Sequence, residues 1–422
     1  MMLSRTALVL NGLFAIRVAI GFGSYALMAR TFGTSAEMDA FWVAVTPTLV
    51  GVNLVEACGI GAALTYVELL RREPDTVRRS ETLGLLVIWL GLGTALGVAS
   101  YVSADRLVQV LAPGMRGPLA AATVHLVQLT SVALAVGPVM YLCFGLLYAQ
   151  GRFLHAAMLG LLPSLVLAAG QLLGPADIRY LAALFVGGYL VGALATIRSV
   201  GGDLSLWGVR PRYDRAGSFF HQFLPLVVGA AFLQLIFVRE RALASHLEVG
   251  AISALSYALR IVTVVGGLVA AGFDATVTAT VARQHVDGDV VGVRRHVRQS
   301  LVLVAILAVI PGVAVVLFAA PIVTLLFARG RFGAESIQLT AAAVVGYFGV
   351  YVWSSMGRVL VPAAIGRRRA GISLAISTAA FIGYVIWAPP LTDRWQVAGL
   401  ALAASAALAL ATVLYAADVA RQ

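Results

Sequence analysis

The 422-residue chain contains no lysine, so all 30 of its basic residues are arginines. This absence excludes a Walker A phosphate loop and a Schiff-base lysine, because both require the lysine side chain. Cysteine is also scarce. The two cysteines lie in separate apolar segments and the six histidines show no metal-ligand spacing, so we predict neither a disulfide nor a metal site.

Charged residues are few as well. Only 12% of the residues are charged, whereas 60% are hydrophobic and the mean hydropathy is +0.93. Soluble globular domains lack this composition, which is typical of a protein that crosses a membrane several times. The joints between the apolar runs are too short for a soluble domain and hold no catalytic constellation. We therefore expect neither an enzyme nor a cofactor.

Apolar runs of about 20 residues or more predict an all-α polytopic membrane protein with about twelve transmembrane helices. The predicted helices cover residues 6–29, 39–68, 82–103, 119–149, 154–174, 180–200, 218–244, 250–281, 298–319, 336–364, 370–389 and 396–417. Two shorter amphipathic segments, 105–114 and 321–332, are expected at the membrane interface. The basic start of the chain runs directly into an apolar span, which favours a first transmembrane helix over a cleaved signal.

The arginines outside these spans are unevenly distributed. Alternate joints together with the two termini hold eighteen of them, and the remaining joints hold seven. Because arginine-rich joints stay on the cytoplasmic side, both termini are predicted to be cytoplasmic.

The two halves of the chain resemble each other at an offset of 215 residues. Ala149-Gln-Gly-Arg152 returns as Ala364-Ile-Gly-Arg367, for example. Chance coincidence of such short identities is the alternative. The repeat predicts a six-helix lobe over residues 1–203 and a second over 204–422, an arrangement known in transporters that bind their substrate between the halves.

Five arginines fall inside apolar spans: Arg17, Arg239, Arg241, Arg260 and Arg358. A charge at bilayer depth costs about 2.5–3.5 kcal/mol or more, so it is retained where it faces protein, water or an anion. Arg17 and Arg260 lie farthest from their helix ends and predict a cavity that holds something negative. The other three lie nearer the ends, from which their side chains can reach the interface.

Arg17 shares one helical face with Gly21, Ser24 and Met28. Small and polar residues along such a face are suited to a cavity wall. For Arg17 itself, the cavity role and a structural ion pair are both open.

Several motifs resemble those of a known family. Residues 29–44 (ARTFGTSAEMDAFWVA) resemble the first-to-second helix joint of the MurJ/MviN family of lipid II flippases, which belong to a larger exporter superfamily. Leu224-Pro with Gln234, the stretch 256–260 (SYALR), the stretch 325–332 (LLFARGRF) and residues 359–369 are similar to later family motifs in the same order.

The resemblance implies a flippase in the bacterial cytoplasmic membrane, working by alternating access. Its substrate would be an undecaprenyl-type lipid-linked glycan, either lipid II or a related envelope precursor. The head group would move from the cytoplasmic to the periplasmic leaflet. A monomer is expected, with membrane lipids and glycan-synthesis enzymes as partners and no nucleic acid.

Family residues carry over unevenly. The essential arginine of helix 8 falls on Arg260, and the aspartate of the first joint falls on Asp39. The first arginine of helix 1 matches Arg17 after a one-residue insertion. A second arginine-aspartate pair falls on Ser24 and Tyr25 instead. The helix 2 arginine pair falls on Gly51 and Val52, and the twelve predicted spans include no counterpart of the family's helices 13 and 14.

Each candidate residue also has a structural interpretation. Arg260 could bind a pyrophosphate through its forked guanidinium, or could pair with Glu56 or Glu240. Asp39 is expected to be the N-cap of helix 2, with a gating contribution possible on top.

The acidic residues of the spans are candidates for ion coupling. Glu240 could face inward as a cation or proton site, or could be part of an interfacial anchor with its two neighbouring arginines. Glu56 and Asp274 are alternative proton carriers, and paired or protonated structural roles are equally open.

Two other functions remain as rivals. A multidrug or small-solute exporter of the same superfamily would have a cavity dominated by acids, against which the arginine excess argues. A non-transporting scaffold for glycan synthesis is suggested by the missing family arginines.

Overall fold

The computed structural model describes residues 5–203, 205–206, 208–270, 290–365 and 370–420. Throughout these ranges the regular structure is helical, without strands. The helices are α1 (Arg5–Phe32), α2 (Ala36–Leu70), α3 (Asp75–Val102), α4 (Ala104–Leu111), α5 (Gly117–Ala149), α6 (Phe153–Leu159), α7 (Leu162–Leu173), α8 (Ile178–Asp203), α9 (Ala216–Ala244), α10 (Ala251–Ala270), α11 (Val290–Leu317), α12 (Ala319–Phe327), α13 (Ala334–Gly346), α14 (Phe348–Ile365) and α15 (Ala370–Ala420).

The predicted spans correspond closely to these helices. Within the described ranges, ten helical stretches are long and apolar enough to cross a membrane, and the shorter Ala251–Gly266 adds a further apolar stretch. The fifth predicted span is divided into α6 and α7, and the tenth into α13 and α14. The two predicted amphipathic segments are separate short helices, α4 and α12.

The last two predicted helices are joined in α15, which turns back on itself. A straight helix of its 51 residues would be about 76 Å long, far more than the ~30 Å hydrocarbon core. Gln396 breaks the helix with φ 50° and ψ −126°. Beyond this break, a Cβ on Gly399 would lie 2.0 Å from the carbonyl oxygen of Leu391. Residues eight apart in a straight helix are about 12 Å apart, so the chain reverses here.

The described residues form two compact units. Unit 1 comprises Met1–Phe32 with Ala36–Ala230, and unit 2 comprises Gly33–Ser35 with Ala231–Gln422. The division falls inside α9, and not in the joint between residues 203 and 204. The two six-helix lobes therefore stay a prediction.

Close helix packing holds unit 1 together around α5. The hydroxyl of Thr130 in α5 donates to the carbonyl of Ala44 in α2 at 2.8 Å. On another face of α5, a Cβ on Gly93 of α3 would lie 2.1 Å from the carbonyl oxygen of Ala135. Small residues and interhelical hydrogen bonds are the usual means of packing helices inside a membrane.

In unit 2, α10 packs against the short joint that precedes α2. The buried Tyr257 donates its hydroxyl to the carbonyl of Gly33 at 3.2 Å, and the hydroxyls of Thr34 and Ser336 are 2.8 Å apart. Gly33 has φ +59°, a conformation that favours glycine. Residues 33–35, within the stretch that resembles the family motif, therefore belong to unit 2.

The reversal in α15 is testable by adding one methyl group. Gly399→Ala should lower the free energy of unfolding by about 1–3 kcal/mol, because the new Cβ would overlap the Leu391 carbonyl. Gly371→Ala in the same helix is the control, since its Cβ would have no neighbour within 4 Å and should be neutral or stabilising. Unfolding in mixed detergent micelles measures both variants, and equal stability would contradict the reversal.

Candidate functional site

Arg17 is the central residue of the candidate site in unit 1. It lies about 18 Å from the start of α1 and about 22 Å from its end, at 1.5 Å per residue. Its guanidinium is half-buried and donates from Nη2 to the hydroxyl of Tyr141 in α5 at 3.3 Å. Among the described residues, no carboxylate lies within ion-pair distance of Arg17. The charge is therefore held at membrane depth by a neutral phenol.

Polar groups from other helices surround Arg17. The carboxylate of Glu56 attracts it electrostatically from beyond ion-pair distance, and Tyr148 also interacts with it. Glu56 and Asn53 are exposed on one face of α2, although both lie within its apolar span. Polar side chains rarely face lipid, so this face of α2 is suited to border water or a polar ligand.

The rest of the Arg17 face is packed and does not line a cavity. Ser24 and Met28 are each 1% exposed and Gly21 is buried. The amide of Gln171 in α7 donates to the hydroxyl of Ser24. The small-residue stripe is therefore a packing surface for α7, and only Arg17 itself remains a candidate for contact with a ligand.

The N-cap assignment of Asp39 was wrong. Helix α2 begins at Ala36, so Asp39 lies within its first turn, together with Glu37. Both carboxylates still favour this helix end through the helix dipole. Asp39 is 5% exposed, so its side chain is part of the packed interior, and its gating contribution stays a prediction.

In unit 2, the face of α10 that carries Arg260 is also contacted by Arg241. Arg241 of α9 donates from Nη1 to the hydroxyl of Ser256 in α10 at 3.1 Å. Ser256 lies one helical turn before Arg260 and therefore on the same face of α10. Both arginines are half-buried. The sequence predicts that Arg241 is a snorkelling anchor at the interface, but its side chain turns towards α10.

Glu240, between two arginines in the sequence, faces the interior of unit 2. It is 4% exposed and lies beside the hydroxyl of Tyr347, with Tyr384 also within electrostatic range. Oε1 of Glu240 and the hydroxyls of both tyrosines are buried without hydrogen-bond geometry to any described atom. Glu240 makes no ion pair with Arg260 within the described ranges. Arg239, by contrast, is exposed.

The structure thus brings Arg17 near Glu56 and places Glu240 among tyrosines. Asp274 and the side chain of Arg358 lie outside the described residues. Sequence reasoning did not single out Tyr141, because a tyrosine in an apolar helix is most often a packing residue. Only the structure, which places the Tyr141 hydroxyl beside the Arg17 guanidinium, shows that this tyrosine belongs to the candidate site.

Comparison with known proteins identifies the family of this chain. A family model described as "Lipid II flippase MurJ" matches residues 28–422. The chain belongs to the MurJ family. It is accordingly a multi-pass membrane protein of a transporter family.

Two curated relatives illustrate the distance within the family. A probable lipid II flippase MurJ of Thermotoga maritima is 21% identical over 323 residues, which cover 76% of this chain and 65% of the relative. The lipid II flippase MurJ of Burkholderia cenocepacia is 26% identical over 380 residues, covering 82% and 70%. This MurJ-family chain therefore spans just under two thirds of the length of the Thermotoga relative.

Solved structures show the same fold. A lipid II flippase MurJ in an inward closed conformation superposes with a TM-score of 0.83 at 17% identity, covering 98% of this chain and 87% of that one. An inward-facing multidrug transporter of the MATE family gives a TM-score of 0.79 at 13% identity, covering 98% of both chains. The MurJ-like exporter fold predicted from the sequence is confirmed.

The Arg241–Ser256 contact can be measured by a double-mutant cycle in this MurJ-family chain. Ser256→Ala should destabilise the protein by about 0.5–1.5 kcal/mol, the range of interhelical hydrogen bonds in membranes. The same change should cost less when Arg241 is already methionine, because the acceptor then has no donor. Additive losses in detergent unfolding experiments would contradict the contact.

Proposed function

We propose that this chain moves a polyprenyl-pyrophosphate-linked glycan precursor, lipid II or a related envelope lipid, from the cytoplasmic to the periplasmic leaflet. The proposal combines the family membership with the charge of the described site residues. Both termini would be cytoplasmic, in keeping with the arginine distribution between the joints.

The observation that carries this proposal is the position of Arg17. A guanidinium at mid-helix depth without an ion-pair partner among the described residues is expensive in a membrane unless an anion or water compensates it. A pyrophosphate suits this group, because arginine binds phosphate oxygens through two parallel N–H bonds. The exposed Asn53 and Glu56 would then face the polar head group.

Arg260 is a second candidate for binding an anionic head group. It lies about 14 Å from the start of α10. Arg241, which is close to the end of α9, contacts the same face of α10 through Ser256. In an alternating-access cycle these arginines would be exposed in turn to the two sides of the membrane while the polyprenyl tail remains in lipid.

The arginine assignments can be tested with purified protein in vesicles. Arg17→Ala or Arg260→Ala should each weaken head-group binding about tenfold to a hundredfold, since a charge-assisted hydrogen bond contributes about 1.5–3 kcal/mol. The measurement is flipping of a labelled polyprenyl-pyrophosphate glycan against its concentration. Arg106→Ala, which alters an exposed arginine in α4, is the control. Flipping by both site variants at the wild-type rate would contradict the site.

We further propose that Glu240 binds the ion that couples transport, and that this ion is a proton. The supporting observations are its burial and the three buried oxygens without hydrogen-bond geometry at Glu240, Tyr347 and Tyr384. Such groups in native proteins call for a functional explanation. The Glu240 carboxyl can donate a hydrogen bond when it is protonated and can only accept one when it is ionised. Its gain and loss of a proton would therefore give these oxygens hydrogen-bond partners in turn.

A pH gradient imposed across vesicles tests this coupling. It should accelerate flipping by the wild-type protein and have no effect on Glu240→Gln, which is permanently neutral. Glu248→Gln alters an exposed carboxylate just after the same helix and should respond like the wild type. A Glu240→Gln protein that still responds to the gradient would refute the coupling role.

A further inference from the structure

The segment between α8 and α9 is held against α3. The backbone N–H of Arg212 donates to the carbonyl of Ser80 at 3.0 Å. At the next turn of α3, a Cβ on Gly84 would lie 1.7 Å from the carbonyl oxygen of Arg212. Only a residue without a side chain permits this approach. We call residues 208–215 the strap.

A buried carboxylate fastens the end of the strap. Oε2 of Glu81 accepts the backbone N–H of Arg215 at 3.0 Å, and Glu81 is 1% exposed. Arg215 immediately precedes α9, so Glu81 of α3 provides the cap for a helix that belongs to another part of the chain. A negative charge at this position also complements the positive end of the helix dipole.

Two further contacts support Glu81. The side chain of Arg215 pairs with Glu73 at 2.8 Å, so both its backbone and its side chain are held by acids of the α2–α3 region. The buried Tyr66 donates to the backbone carbonyl of Glu81 at 3.3 Å. These contacts all lie within unit 1.

The first turns of α9 continue the attachment with aromatic packing. Trp89 of α3 contacts Phe219 and Phe223, with ring centroids 6.0 and 5.1 Å apart, and Phe219 also meets Tyr66. This packing explains why α9 belongs to unit 1 as far as Ala230. The later residues of α9, which include Glu240 and Arg241, belong to unit 2.

We infer that Glu81 is a positioning residue for transport, which fastens the strap and thereby keeps the first part of α9 attached to unit 1 throughout the cycle. The inference rests on the proposed function. Because Glu81 acts through α9 and not on the substrate, its loss should lower the turnover rate and leave the substrate concentration for half-maximal flipping unchanged. Loss of Arg17 or Arg260 should change that concentration instead.

The state of the strap can be read by limited trypsin digestion of the detergent-solubilised full-length chain. Trypsin cleaves after Arg212 and Arg215, whereas Pro211 protects the bond after Arg210. Gly84→Ala should expel the strap and raise its cleavage rate at least about tenfold. Gly91→Ala in the same helix, whose Cβ would have no neighbour within 4 Å, should leave the rate unchanged.

Variants at Glu81 separate its acceptor role from general damage to the fold. Glu81→Ala should release the strap, whereas Glu81→Gln retains an oxygen acceptor and should restore most of its protection. Both variants are then assayed for flipping, with turnover expected to fall about tenfold for Glu81→Ala and less for Glu81→Gln. Unfolding measurements show which variants are folded under the assay conditions.

Each outcome has one meaning. An unchanged cleavage rate in folded Glu81→Ala protein would overturn the fastening role. A released strap with wild-type turnover would overturn the positioning role. If the wild-type protein moves no precursor, the proposed function fails, while the digestion still decides whether Glu81 fastens the strap.

Discussion

A guanidinium near the middle of an apolar helix is the constraint on which the rest of the arrangement depends. Arg17 cannot reach either end of α1, so the surrounding helices must supply polar groups or a ligand must do so. The helices provide a phenol from α5 and a more distant carboxylate from α2. Neither forms an ion pair with it within the described ranges, and this leaves a positive charge suited to a phosphate. The rest of the α1 face is packed against α7, as tight helix association in lipid requires.

Unit 2 also has arginines inside its apolar helices, and their contacts differ from those of Arg17. Arg260 and Ser256 share one face of α10. Arg241 of α9 donates a hydrogen bond to Ser256, so its guanidinium lies against the same face. The adjacent Glu240 points to a separate buried group of tyrosines. One short stretch of α9 would therefore contribute both to the proposed anion-binding surface and to the proposed proton-binding group. Attraction of the head group and coupling to a gradient would be separable properties of neighbouring residues.

Much of the fold could be predicted from the sequence, because long apolar runs in lipid have few alternatives to helices. The spans and both short amphipathic helices were predicted. Interruptions such as that at Gly160 could not be, since a break inside an apolar run changes neither hydropathy nor period. The N-cap error at Asp39 arose because helix ends are the least certain part of any such prediction. Arg241 was misplaced for a related reason: nearness to a helix end permits snorkelling, but packing against α10 decides where the side chain turns.

The central proposal is that this member of the MurJ family moves a lipid-linked cell-wall precursor. Growth of bacteria depleted of their own lipid II flippase, with this chain expressed in its place, tests it most directly. The account predicts that the wild-type chain sustains growth and that the double variant lacking Arg17 and Arg260, inserted in the membrane at the same level, does not. Equal growth with both proteins, or lysis with the wild-type chain despite normal insertion, would contradict it.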